Sequence, residues 1–202
     1  MKKEFSFYEF AGILVPSVTF LYLLSLIIEH VYGKQFVDFS KLGESIVFLT
    51  VAYGFGHLLQ AVGNMFEKLF WWIFGGMPSK WLIVPSRFAG KLFDDAQTSA
   101  ILTKVHAQFD VSPGKDYGRD VYNWLSLKDK ITEKRIDLFN ANYGMFRGLT
   151  VSFYLLTFAT AFLVCWKFAL IPLCLGLLAN TRMFRFGKLY AQEIYRTFQN
   201  IQ

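Results

Sequence analysis

The sequence predicts an all-α polytopic membrane protein with four transmembrane helices and a helical cytoplasmic part. Three observations carry that prediction. The 202 residues are 54% hydrophobic and 19% aromatic, with a mean hydropathy of +0.34, which is more apolar surface than a soluble fold of this size can cover. Apolar runs of spanning length recur at about residues 11–30, 45–66, 149–165 and 168–184. Of the 21 Lys and Arg, only Lys34, Lys41 and Lys167 fall in the outer segments of such a four-span chain. That asymmetry puts both termini and the long central segment in the cytoplasm.

The implied organisation is a first transmembrane hairpin with an interfacial segment over 1–84, a cytoplasmic helical domain over 85–147, a second hairpin over 148–184, and an amphipathic tail helix over 185–202. The entry segment, MKKEFSFYEF, leads into the apolar run Ala11–Ile28. A cleaved signal peptide is the rival reading, because Lys2 and Lys3 precede the run. Glu4 and Glu9 argue against it, as does Glu29-His30-Val31-Tyr32 where a small-residue cleavage site belongs. Pro16 is expected to kink this span, and Ser17 and Thr19 are placed to re-satisfy the freed backbone groups.

A short polar connection, Gly33–Glu44, separates this span from the second, Ser45–Phe66. The aromatic stretch Leu69–Val84 is broken by Gly75, Gly76 and Pro78, so it reads as lying in the interface, with Trp71, Trp72 and Trp81 as anchors at headgroup depth. A re-entrant loop is the alternative. Ser86 is the expected cap of a helix with the stripe Phe88, Leu92, Ala96, Ser99, Leu102, Val105 and Phe109. Asp110–Gly118 is turn-rich. A further helix begins near Asp129, aligns Thr132, Ile136, Phe139, Tyr143 and Phe146, and is expected to run through Arg147-Gly148 into the third span. The fourth span begins after a turn at Trp166-Lys167, with Pro172 near its start. The tail carries Met183, Phe186, Tyr190, Ile194 and Phe198 on one side.

The residues with most chemical interest lie on the second span. At 3.6 residues per turn, Thr50, Tyr53, Gly54, His57, Gln60 and Asn64 share one face, with Ala61, Glu67 and Lys68. An ionisable group at His57 would sit near the bilayer midplane, where it is costly. It can line a pore, relay protons or sense pH; equally, it can be packing glue that hydrogen-bonds within the protein. The partners of the stripe come either from another copy of the chain, around a hydrated path, or from Thr150, Ser152, Thr157 and Thr160 of the third span. Arg147, where the cytoplasmic helix meets the third span, is expected to anchor at the membrane interface by snorkelling.

Enzyme signatures are absent from the sequence. There is no Walker A loop, GxSxG elbow or HExxH. Asp94-Asp95 is a lone pair, Asp116 and Asp120 lack the pattern of a phospholipid-alcohol transferase, and His106 has no ligand at metal spacing. Cys165 and Cys174 sit in apolar runs, so neither a disulfide nor a metal site is expected. The basic residues of the central segment alternate with acids, which reads as a solvated surface and argues against nucleic acid. No catalytic residue, metal or cofactor is therefore expected.

The segments FYEF at Phe7–Phe10, GHLLQAVGN at Gly56–Asn64 and NANYGMFRGL at Asn140–Leu149 resemble those of small bacterial membrane proteins. The overall plan is similar to that of membrane effectors and accessory subunits of anti-phage defence systems. The resemblance implies a bacterial inner-membrane protein that oligomerises and perturbs the membrane when a cytoplasmic partner signals. The expectation is thus a channel-like homo-oligomer in the lipid bilayer, controlled through its cytoplasmic region. The alternative is a non-conducting scaffold that recruits a cytoplasmic protein partner.

Overall fold

A computed structural model describes residues 8–35, 37–109, 115–128 and 130–201, with the backbone alone for 130–134. Six α-helices follow in order: α1 Val15–Tyr32, α2 Leu42–Ile73, α3 Asp95–Gln108, α4 Gly118–Lys128, α5 Lys130–Leu163 and α6 Trp166–Asn200. A π-helical segment, Glu9–Leu14, precedes α1, and a 3-10 turn spans Pro78–Leu82. Among the described residues there is no strand. Four of the helical stretches are long and apolar enough to cross a membrane, so the protein is a multi-pass α-helical membrane protein.

The chain divides into two compact units, Met1–Phe66 with Ala141–Met183, and Glu67–Asn140 with Phe184–Gln202. In the first unit, Phe20, Leu59, Val151 and Leu156 form the buried core, and Phe55 stacks on Phe20 at 5.4 Å. Small residues let the helices approach. A Cβ at Gly56 would lie 2.6 Å from Ile13 Cγ2 and 2.7 Å from the Ile13 carbonyl oxygen; one at Gly148 would lie 2.7 Å from Pro16 Cγ; one at Gly176 would lie 2.7 Å from the Tyr154 ring. Close approach through small residues is the main means by which helices associate where lipid is as apolar as the side chains. Between α1 and α2, Gly33 closes the first helix in the left-handed conformation, φ 66°. Asp38, Lys41 and Glu44 pair across the connection.

The break between α5 and α6 is short. The amides of Val164 and Cys165 both donate to the Thr160 carbonyl, and α6 restarts at Trp166. Pro172 lies inside α6, a turn and a half from its start. As expected, α5 runs unbroken through Arg147-Gly148. The tail is no separate helix, because α6 continues through it to Asn200 with Met183, Ala191, Ile194 and Phe198 buried.

In the second unit, α2 ends in a Gly75-Gly76 turn, both glycines at positive φ, and Gly76 N–H donates to the Trp71 carbonyl. Leu69–Ile73 is therefore a continuation of α2. Trp71, Phe74, Trp81 and Phe184 pack as one aromatic cluster, with Trp71 and Trp81 at 5.8 Å. The Trp81 indole donates to the Gly76 carbonyl at 3.0 Å, and the Tyr195 hydroxyl donates to the Ser79 carbonyl at 2.9 Å.

The expected helix from Ser86 does not form. The Ser86 hydroxyl donates to the Phe74 carbonyl and accepts from the Phe88 and Ala89 amides, and Gly90 closes the turn at φ 70°. Helix α3 starts only at Asp95, capped by the Asp94 carboxylate, which accepts from Gln97 N–H at 2.7 Å. Its buried face is Ile101 and Val105, and Phe88 is 72% exposed. Helix α4 was not anticipated. Asp116 accepts from Gly118 N–H at its start, and Val121 and Leu125 are buried one turn apart. Of the turn-rich stretch expected between Asp110 and Gly118, residues 110–114 lie outside the described residues, as do the entry residues 1–7.

Helix approach at Gly56 sets a testable requirement. Gly56→Ala is expected to destabilise the protein by about 1–3 kcal/mol, because the new methyl meets backbone that cannot move aside. A thermal melt of the detergent-solubilised protein should show a midpoint lower by about 5 °C. Gly43→Ala, where nothing lies within 4 Å, should leave the midpoint unchanged or slightly raised.

Candidate functional site

Helix α2 buries one meridian of its first unit, formed by Ala52, Gly56, Leu59 and Gly63. The exposed members of the polar stripe lie on average more than a third of a turn away. Thr50, Gly54, His57 and Asn64 are consequently exposed, and Tyr53 is half-buried. The Thr50 hydroxyl donates to its own helix at the Ile46 carbonyl, and the His57 ring meets Tyr53 edge-on at 5.1 Å. Gln60 sits where the stripe meets the buried meridian and is the one member turned inward, 8% exposed.

Gln60 is held by three elements. Its Nε2 donates to the Gly12 carbonyl in a short contact and to the Gly144 carbonyl at 3.3 Å. Its Oε1 accepts from the Arg147 guanidinium at 2.5 Å. An α-helical bond to the Gly12 carbonyl would come from residue 16, which is Pro16 and has no N–H to give, and the Gln60 amide supplies a donor there. Ser17 and Thr19, expected to re-satisfy the freed group, act instead on neighbouring carbonyls, at Ile13, Leu14 and Val15. The freed Gly12 carbonyl is satisfied from another helix.

Arg147 is 8% exposed and lies inside the unit. Its guanidinium carbon stands 5.7 Å from the Tyr143 ring centre, and its side chain lies against Gly63. Tyr8 packs over both Gly12 and Gly144, closing the cluster from the π-helical segment. The hydroxyls of the third span serve backbone: Thr150 donates to Phe146, Thr157 to Phe153, and Ser152 to the Pro16 carbonyl at 3.2 Å. None of these three bonds reaches the stripe.

The expected tryptophan anchors divide. Trp71 and Trp81 are 2% and 1% exposed inside the aromatic cluster of the second unit, whereas Trp72 is 77% exposed. Among the described residues no three His, Cys, Asp or Glu converge where a metal ion could bind. Sequence reasoning missed Tyr8, Gly12 and Gly144. Pro16 was the available signal, since a proline inside a span leaves a carbonyl for some other donor to satisfy.

Fold and site together define a four-span membrane protein whose first unit encloses a Gln–Arg cluster and turns the rest of a polar stripe outward. Comparison with models of protein families, with curated proteins and with solved structures finds no match for this chain.

The cluster predicts a specific coupling. Gln60→Leu should cost about 2–4 kcal/mol, since it withdraws donors from two buried carbonyls and an acceptor from a buried cation. Adding Arg147→Met should recover part of that loss, read as a non-additive double-mutant cycle in detergent unfolding. A Gln60→Leu protein as stable as the parent would contradict this role.

Proposed function

We propose that the protein is a channel-like homo-oligomer of the bacterial inner membrane, in which the outward stripe of α2 meets copies of itself around a hydrated path. The observation that carries this reading is the exposure of Thr50, Gly54, His57 and Asn64 along one meridian of an otherwise apolar span. Among the described residues neither the His57 ring nor the Asn64 amide makes a hydrogen bond within the chain. Polar groups left against hydrocarbon cost free energy, and water or a second stripe removes that cost. Gly54 and Ala61 on the same meridian allow two copies of α2 to approach.

The asymmetry of Lys and Arg supports cytoplasmic termini. On that reading the segment Pro85–Arg147 and the tail form the controlling region, because α2, α5 and α6 each continue into residues of the second unit without a helix break. The resemblance to membrane effectors of anti-phage defence supports a role in depolarising the membrane on a cytoplasmic signal.

Ion flux through liposomes containing the full chain, under conditions that activate it in cells, is expected to fall by roughly tenfold or to change selectivity in His57→Ala or Asn64→Leu. Unchanged flux in both variants overturns the assignment of a path to this face. A protein that gives no flux and brings a stoichiometric cytoplasmic partner out in mild detergent would be the scaffold.

A further inference from the structure

The second unit holds a cavity of about 860 Å³ whose wall is unusually cationic. Lys68, Lys80, Arg87 and Arg119 line it, with Glu67 as the one acid among its described lining residues. Among the described residues none of these four cations forms an ion pair. Elsewhere on the chain Lys41, Lys91, Lys115 and Arg135 each do so with a nearby carboxylate. Four like charges around one cavity repel each other, and an anion bound among them relieves that repulsion. Arg supplies paired donors that match phosphate oxygens, and Lys supplies point charge.

The same cavity has an apolar side. Trp72 and Phe88 line it and are 77% and 72% exposed, and Ile73 and the neighbouring Leu69 are also exposed. Leu69, Trp72 and Ile73 belong to the last turns of α2. The stretch Ser45–Phe66 of this helix is about 33 Å long, close to the thickness of the hydrocarbon core. Glu67 and Lys68 are the first charges after it in the chain, where a span ordinarily gives way to the headgroups.

We infer that this cavity binds the phosphate of an anionic phospholipid headgroup, with Lys68, Lys80, Arg87 and Arg119 around the phosphate and the acyl chains leaving along Trp72, Ile73 and Leu69. A free phosphate or phosphorylated metabolite shares the anion but makes no use of the exposed apolar rim. A headgroup with its chains uses both. The site is independent of conduction, and its test reads binding alone.

Full-length protein in a neutral detergent is melted with dioctanoyl phosphatidylglycerol, with dioctanoyl phosphatidylcholine, and with inorganic phosphate at equal concentration. Phosphatidylglycerol should raise the midpoint by about 5 °C near saturation, and the other two should not. Arg87→Gln with Arg119→Gln should shift the half-effect concentration upward by at least about tenfold. Lys91→Gln, a cation outside the cavity, should respond like the parent. If the double variant melts at a lower baseline, the exposed Lys68→Gln gives the same reading. An equal rise with phosphatidylcholine, or an undiminished response in these cavity variants, overturns the proposal. So does an equal rise with inorganic phosphate, which would make this a site for free anions.

Discussion

One carboxamide in an apolar interior fixes the first unit. Gln60 has two donors and one oxygen acceptor, and uses them on Gly12, Gly144 and Arg147, so the π-helical entry, α2 and α5 meet at a single side chain. The need originates in Pro16. Where no water is available, a carbonyl deprived of its helical donor must find another inside the protein. That requirement explains why the nearby contacts are made at glycine: Tyr8 lies over Gly12 and Gly144, Pro16 against Gly148, Ile13 against Gly56 and Arg147 against Gly63. A side chain as short as glutamine bridges three backbones only if they come close, and they come close only where no Cβ intervenes.

The same contact sets the rotation of α2. Once Gln60 and the Ala52–Gly63 meridian face inward, the remaining stripe residues cannot also do so, because a helix has one angular setting. The outward position of His57 and Asn64 is thus a consequence of how Pro16 and Arg147 are satisfied. In this arrangement three hydroxyls of α5 donate away from the stripe too, since Thr150 and Thr157 close onto their own helix and Ser152 reaches the Pro16 carbonyl.

The four spans were legible because length and apolarity decide them, and the unbroken α5 was legible because nothing at Arg147-Gly148 stops a helix. Which face of α2 packs was not. In a soluble helix the apolar stripe marks the core, but here Leu58, Val62 and Met65 are exposed while Gly56 and Gly63 are buried. Lipid accepts apolar side chains as readily as a core does, so small residues carry the signal and large ones do not. The Ser86 helix failed for a different reason. Ser86 and Asp94 are both competent caps, and the choice between them rests on Gly90 and on the distant Phe74 carbonyl, neither of which a local pattern weighs. Trp71 and Trp81 look like interfacial anchors by composition, yet the Gly75-Gly76 turn folds them onto Phe184 of a helix more than a hundred residues away.

A polar group already satisfied inside the protein is poorly placed to do chemistry on anything else, and this separates the stripe and the cations alike. Gln60 and Arg147 occupy each other, and Arg147 also has the Tyr143 face, so moving either into a water path would first expose the Gly12 carbonyl. Their burial makes them determinants of packing. Among the described residues His57 and Asn64 make no hydrogen bond, although the His57 ring meets Tyr53 edge-on, and Lys68, Lys80, Arg87 and Arg119 form no ion pair. The first pair is exposed on α2, and the second set lines the basin of the second unit. Polar groups left open in both places are what a protein needs if it is to meet its own copies within the bilayer and a charged surface at the edge of it.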